Sequence, residues 1–348
     1  MKTGSSAIAA AVTATVLLAS LPAAAETAAE FYKGKTLNLY IGTGESSGAV
    51  GAYPHAMSEV IGKYIPGNPT VIVRNMPGAG GIKLANYIYG IAPQDGTNWA
   101  FITRGFLLAP LLKLPGVQFD PSKFSWIGSP ARTDSVGAVW ASGTPVRTIQ
   151  DAMKTQVIVG ATTLGQGTGV FPTMLNQLID TKFKVVSGYK SVGDVELAME
   201  KGELQGKIDW TWGSLMSGRT ADWVKDHKVY LLIQLGLKKS PKIPADVPLA
   251  LDLAKNHEDH QVMEILCSPS ATGYPSFMGP DTPKDRVDAV RVAFQQTMKD
   301  PRFVAALEKQ HLELDPIEGD EITTVVKNLY AMPPHVVDRM RDLMPPSE

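Results

Sequence analysis

Residues 65–106 read IPGNPTVIVRNMPGAGGIKLANYIYGIAPQDGTNWAFITRGF. The apolar run at 70–73 ends in Arg74-Asn75, the turn MPGAGG follows at 76–81, and residues 82–90 have the spacing of a helix. A second apolar run at 98–103 is set off by Asp95-Gly96-Thr97. Short buried strands bounded by Gly, Pro and Asn, with a helix between them, mark a mostly parallel sheet covered by helices.

The same alternation continues on both sides. Upstream, 36–42 reads as a strand and 55–64 as a helix. Downstream the pattern restarts after about residue 130, with strands expected at 136–140, 157–161, 184–187, 205–209 and 229–233 and helices at 170–180 and 194–201. Two α/β units in series account for this. The last eighty or so residues are helical in pattern. Val287, Val290, Phe294 and Met298 form one stripe, Asp300-Pro301 is a helix start, and further helices are expected at 320–331 and 334–343. No strand is evident there, so these helices should pack back across the sheets.

Composition narrows the function classes. Lys2, the apolar run 7–21 and Ala23-Ala24-Ala25 have the form of a secretory signal peptide, with cleavage expected near Ala25. The chain of 348 residues then leaves roughly 320 in the mature form, enough for one large or two ordinary domains. With 33 basic and 34 acidic residues there is no basic excess of the kind nucleic-acid binding needs. The single cysteine, Cys267, excludes an internal disulfide and reads as a buried small hydrophobe.

Several motifs fail the context their chemistry requires. Gly44-Glu45-Ser46-Ser47-Gly48 fits the nucleophile-elbow pattern, but it follows the first strand, so no earlier strand can supply an oxyanion loop. Gly42, Gly44 and Ser47 approximate a dinucleotide fingerprint, yet the strand ending Val73-Arg74-Asn75 carries no ribose-binding carboxylate. His257-Glu258-Asp259-His260 departs from the zinc-protease spacing and suits a solvated helix or loop. No catalytic residue, cofactor or metal is therefore expected. What remains is a set of small-residue turns at 42–51, 76–81, 161–170 and 188–194, each between a strand and a helix. Any one of them is explained by the turn freedom of glycine. Together, at the carboxyl ends of strands and the starts of helices, they suit a cleft that holds an anion.

The stretches FYKGKTLNLYIG, 65–106 and TKFKVVSGYKSVGDVELAMEKGELQG (181–206) resemble the extracytoplasmic solute receptors of tripartite tricarboxylate transporters, over essentially the whole mature chain. The resemblance implies a periplasmic-binding-protein fold, α/β in class, with two lobes around a ligand cleft, two crossovers and a helical C-terminal region. Lobe 1 would comprise 26–130 and 253–348, and lobe 2 would comprise 131–252. It implies a periplasmic, non-enzymatic monomer that captures a small organic carboxylate and delivers it to membrane permease subunits. A ligand sensor for a signalling partner and a receptor for an uncharged solute are the alternatives.

Carried over by position, the first binding loop is 45–51. Relatives commonly place Pro-Gly-Gly-Gly, an aromatic residue and Asp there, whereas this chain has Ser46-Ser47-Gly48-Ala49-Val50-Gly51, without the Asp. Ser46, Ser47 and Gly48 would then supply hydroxyls and an amide. Thr103 and Arg104 should face the cleft, with Arg104 either gripping a distal carboxylate or bridging the lobes. Thr168 and Gly169 would offer a hydroxyl and an amide at a helix start. Asp194 either caps its own helix or meets ligand. Tyr189, Trp210 and Trp212 would wall the pocket, with core packing the alternative for each tryptophan.

Overall fold

The computed structural model describes residues 26–44 and 49–345. The signal-peptide reading and Ser46, Ser47 and Gly48 of the first binding loop lie outside these residues. Eleven strands are present among the described residues: β1 (Thr36–Ile41), β2 (Thr70–Asn75), β3 (Asn98–Phe101), β4 (Ser125–Ser129), β5 (Ser135–Trp140), β6 (Val157–Gly160), β7 (Phe183–Val186), β8 (Gly206–Thr211), β9 (Val229–Leu235), β10 (Ser276–Met278) and β11 (Ile317–Glu318).

They form two sheets. One runs β11-β4-β10-β3-β1-β2 and the other β7-β6-β8-β5-β9. Strands β5 to β9 are consecutive in the second sheet, so the chain crosses between sheets twice, once between β4 and β5 and once between β9 and β10. The sequence reading of mostly parallel sheets needs correction. β1 is parallel to β2 and β3, and β6 to β7 and β8, but β10, β11 and β5 pair antiparallel with their neighbours. The C-terminal region, read as helical, contributes β10 and β11 because the returning chain fills the gap between β3 and β4 and then extends that sheet's edge.

Both faces of each sheet are covered, which is why the strands read as continuous apolar runs. On one face of the first sheet Leu37, Leu39, Trp99 and Phe101 meet the helices Ala49–Ser58, Lys284–Thr297 and Pro301–Lys309. On the outer face of the second sheet Val136 and Trp210 pack with Val195, Met199 and Trp223. The remaining core is continuous from one sheet to the other through the helix His257–Thr272, whose Val262, Leu266 and Cys267 are buried in it. Burial pushes the Cys267 thiol well above its usual pKa, as the reading of a small hydrophobe requires. Segment 257–260, read as solvated, is the first turn of this helix. His257 is exposed and Glu258 partly buried, whereas Asp259 is buried, accepts from Asn256 Nδ2 and pairs with Arg339. No group of three or more metal-ligating side chains occurs among the described residues. None of their helices is long and apolar enough to cross a membrane.

Candidate functional site

The parallel strands of both sheets deliver their carboxyl ends to one interface. On the first-sheet side β2 runs into the turn 76–81, in which Gly78, Ala79, Gly80 and Gly81 all have positive φ. A Cβ on Gly81 would lie 2.6 Å from Ile102 Cδ1, so the turn can pack on the end of β3 only because glycine stands there. Thr103 reaches Gly80 O from its hydroxyl at 3.5 Å. The short 3-10 helix Arg104–Leu108 follows, anchored by Phe106, which stacks on Phe277 at 5.4 Å between ring centroids. Phe106, Phe119, Phe124 and Trp126 form one aromatic cluster behind Arg104. Its burial holds the backbone of the turn in place.

On the second-sheet side β6 leads through 161–166 into the helix Gly167–Leu178. Gly169 is required here by packing, since a Cβ would fall 2.4 Å from Thr163 O. Thr168 Oγ1 accepts from Thr162 N at 3.3 Å, which folds the loop over the helix start. β8 brings in a residue that sequence reasoning overlooked. In the β5–β8 register Val136 faces Trp210 but Ala138 faces Lys207, so Ile208 and Asp209 together oppose Gly137, a β-bulge. Asp209 takes the left-handed conformation at φ 57°, where aspartate is among the few tolerated side chains. The bulge aims its carboxylate at the interface. A Cβ on Gly167 would meet Oδ2 at 1.8 Å, so glycine opens the helix to let the carboxylate approach. There the partial positive charge of the helix N-terminus offsets the anion.

Arg104 and Asp209 meet across the two sides. Nη2 lies 3.6 Å from Oδ1, close enough for Coulomb attraction and too long for a good hydrogen bond, with the side chains 22% and 11% exposed. Asp209 Oδ1 is buried with no hydrogen-bond partner. Arg104 has no partner among the described residues other than this one. Both line a cavity of about 450 Å³ with Thr103, Gly80 and Gln166. A smaller cavity of about 220 Å³ continues from Asp209 past Thr168, Lys207, Thr211 and Ser214. Lys207 is 3% exposed, donates to Glu196 at 2.8 Å and lies 4.3 Å from the centre of the Trp210 ring. Burial depresses its pKa, against the opposing pull of Glu196.

A third cavity, of about 400 Å³, lies beside Ala49, Tyr53 and Tyr274. Its cations are already committed. Arg132 makes a two-pronged contact with Glu321 at 2.8 Å on each arm, and Arg219 pairs with Glu200 at 2.7 Å. A guanidinium with its donors unspent is therefore found at Arg104 rather than here.

The other expected residues divide among cleft, interior and surface. Thr103, Arg104 and Thr168 line the cavities, and Gly169 supports the loop behind them. Asp194 is exposed and exchanges hydrogen bonds with Ser191, the cap of its own helix Val192–Glu200. Tyr189 is partly buried against the outer core of the second sheet. Trp210 touches the small cavity with one edge, but its ring is buried against Trp223. Trp212 faces a separate surface hollow with Lys239 and Pro241. Asp209 could have been found in the sequence as a carboxylate at the end of an expected strand. Its orientation could not, because it depends on the bulge opposite Gly137.

No protein-family model matches the sequence, and neither does any curated protein. Solved structures do match. A TctC solute-binding protein from Polaromonas superposes with a TM-score of 0.67 at 15% identity, covering 90% of this chain and 98% of that one. MatC from Rhodopseudomonas palustris, solved with malate, gives 0.55 at 14% identity over 89% and 99% of the chains. Another R. palustris protein, solved with adipate, gives 0.57 at 15% over 88% and 97%. The two sheets, the double crossing and the cleft between them are the periplasmic-binding-protein fold, and this chain has it.

Proposed function

We propose that the protein is an exported solute receptor, without enzymatic activity, that closes two lobes over a small organic carboxylate and delivers it to the membrane permease subunits of a tripartite tricarboxylate-type transporter. The lobes would be 26–130 with 253–348, and 131–252, a division supported by which strands each sheet contains. Periplasmic location, a signal peptide over 1–25 and a monomeric receptor belong to the same reading, which the likeness to TctC-type and malate- or adipate-bound proteins supports. The observation that carries it is Arg104, a half-buried guanidinium in a cleft with no hydrogen-bond partner among the described residues. Leaving such donors unpaired is costly, and a carboxylate supplies the two-pronged acceptor they fit.

The nearby Asp209 makes the local charge close to neutral, which favours a second reading, an uncharged solute. A thermal-shift screen of mature protein against carboxylates and matched neutral amides separates the two. Saturating ligand at about 100 times its dissociation constant adds about 2.7 kcal/mol. Shifts with acids alone support the carboxylate reading; shifts with neutral compounds alone overturn it.

A further inference from the structure

Among the described residues Arg104 and Asp209 are the charged groups lining their cavity. Most of the remaining lining is apolar, with Leu108, Leu112 and Leu114 from the segment after Arg104, Phe171 from the helix Gly167–Leu178 and Met344, and its polar side chains are Thr103, Gln166 and Ser270. Leu114 is 42% exposed, and Leu108 and Leu112 are only partly buried, so this wall presents uncovered hydrocarbon to the cavity. Isolated exposed leucines mean little, but several converging on one concavity beside an unspent charge have the composition of a ligand pocket.

The wall is also fixed before any ligand arrives. Tyr330 donates from its hydroxyl to Leu107 O at 2.8 Å, and Arg341 Nε donates to Leu111 O at 2.6 Å, so the leucine segment is tied to the C-terminal helices. Gln177 Nε2 donates to Leu343 O at 3.0 Å, which holds the residue before Met344 against the helix that carries Phe171. A preformed apolar surface favours binding, because little side-chain freedom remains to be lost. A volume of about 450 Å³ exceeds what a carboxylate alone can fill.

We propose that the ligand is a carboxylic acid with an apolar arm, its carboxylate at Arg104 and its hydrocarbon between Leu112, Leu114 and Phe171. This rests on the receptor reading above and narrows it. An acid with charge at both ends would bring its second carboxylate toward leucine side chains, where the described lining offers no second cation to offset the lost water.

The test is calorimetric titration of mature protein with butanoate, hexanoate, octanoate and hexanedioate. Affinity should rise about fourfold per added methylene until the pocket is full, and hexanoate should bind more tightly than hexanedioate. Leu112→Asp should weaken hexanoate more than butanoate, with circular dichroism confirming the fold; should that variant not fold, the wild-type series decides by itself. A flat series, or tighter hexanedioate, overturns the apolar arm while leaving the receptor reading intact if Arg104→Gln still weakens binding. Binding of no acid in the series or in the wider carboxylate panel overturns both.

Discussion

Asp300 and Asp209 are both withdrawn from solvent, with 1% and 11% of their side chains exposed, yet the molecule treats them in opposite ways. Asp300 caps the helix Pro301–Lys309, accepting from Arg302 N at 2.7 Å and Phe303 N at 3.3 Å. Its other oxygen takes Lys63 and, at 2.8 Å, the Tyr64 hydroxyl. Asp209 sits in a left-handed bulge with one oxygen unpartnered and an arginine just out of hydrogen-bond range. A carboxylate with every lone pair engaged holds a fold together. One kept strained and underbonded at a cleft is retained for something other than stability.

Substitutions at the two carboxylates separate these roles. The largest effect is expected from Asp300→Ala, which removes the cap and the acceptor shared by Lys63 and Tyr64. Urea unfolding should show a loss of about 2–3 kcal/mol with ligand affinity unchanged. The Lys63 hydrogen bond, foremost among the contacts at this site, holds the Asp300 carboxyl well below the usual carboxylate range. A depressed folded-state pKa gives stability that is complete above the unfolded value of about 4 and is lost as pH falls toward the folded one. Wild type should therefore weaken from about pH 4 downward, and Asp300→Ala should lack that part of the acid loss.

A smaller loss is expected at the helix start that Asp209 touches. Gly167→Ala places a methyl 1.8 Å from Oδ2, and overpacking of that kind costs about 1–3 kcal/mol. Combined with Asp209→Gly it should cost less than the sum of the two single changes, since the clashing atom is gone. Asp209→Gly alone gives the smallest effect and the opposite sign. Relief of left-handed strain, less the added chain entropy of glycine, should raise stability by about 0.5–1 kcal/mol. A marked loss would place Asp209 beside Asp300 as a structural carboxylate.

Legibility in the sequence followed the same division. β1 to β3 and β5 to β9 could be read because each is a short apolar run closed by turn residues. Ser125–Ser129, Ser276–Met278 and Ile317–Glu318 could not, since their pairing is set by the return of a distant segment rather than by their own pattern. The helix His257–Thr272 was obscured by its charged first turn and by Pro269 inside it. At the site, Arg104 was legible as a cation at a strand end. The facing of Asp209 and Trp210 was not, because the bulge at Ile208-Asp209 sends the carboxylate to the cleft and leaves the neighbouring indole in the core. The leucine wall was invisible for a related reason: Leu112, Phe171 and Met344 meet only in the folded chain.

Among the described residues Arg104 pairs with Asp209 alone, at 3.6 Å, and its role as the grip on a ligand carboxylate follows from its unspent donors. That role is tested most directly by measuring the dissociation constant of the tightest acid from the titration series for wild type and Arg104→Gln under identical salt. A charge-assisted, two-pronged contact is worth about 1.5–3 kcal/mol, so weakening of about tenfold or more is expected, with the melting temperature of the free protein nearly unchanged. Equal dissociation constants would contradict it and would make Arg104 a bridge between the two sides of the cleft rather than the grip on what lies between them.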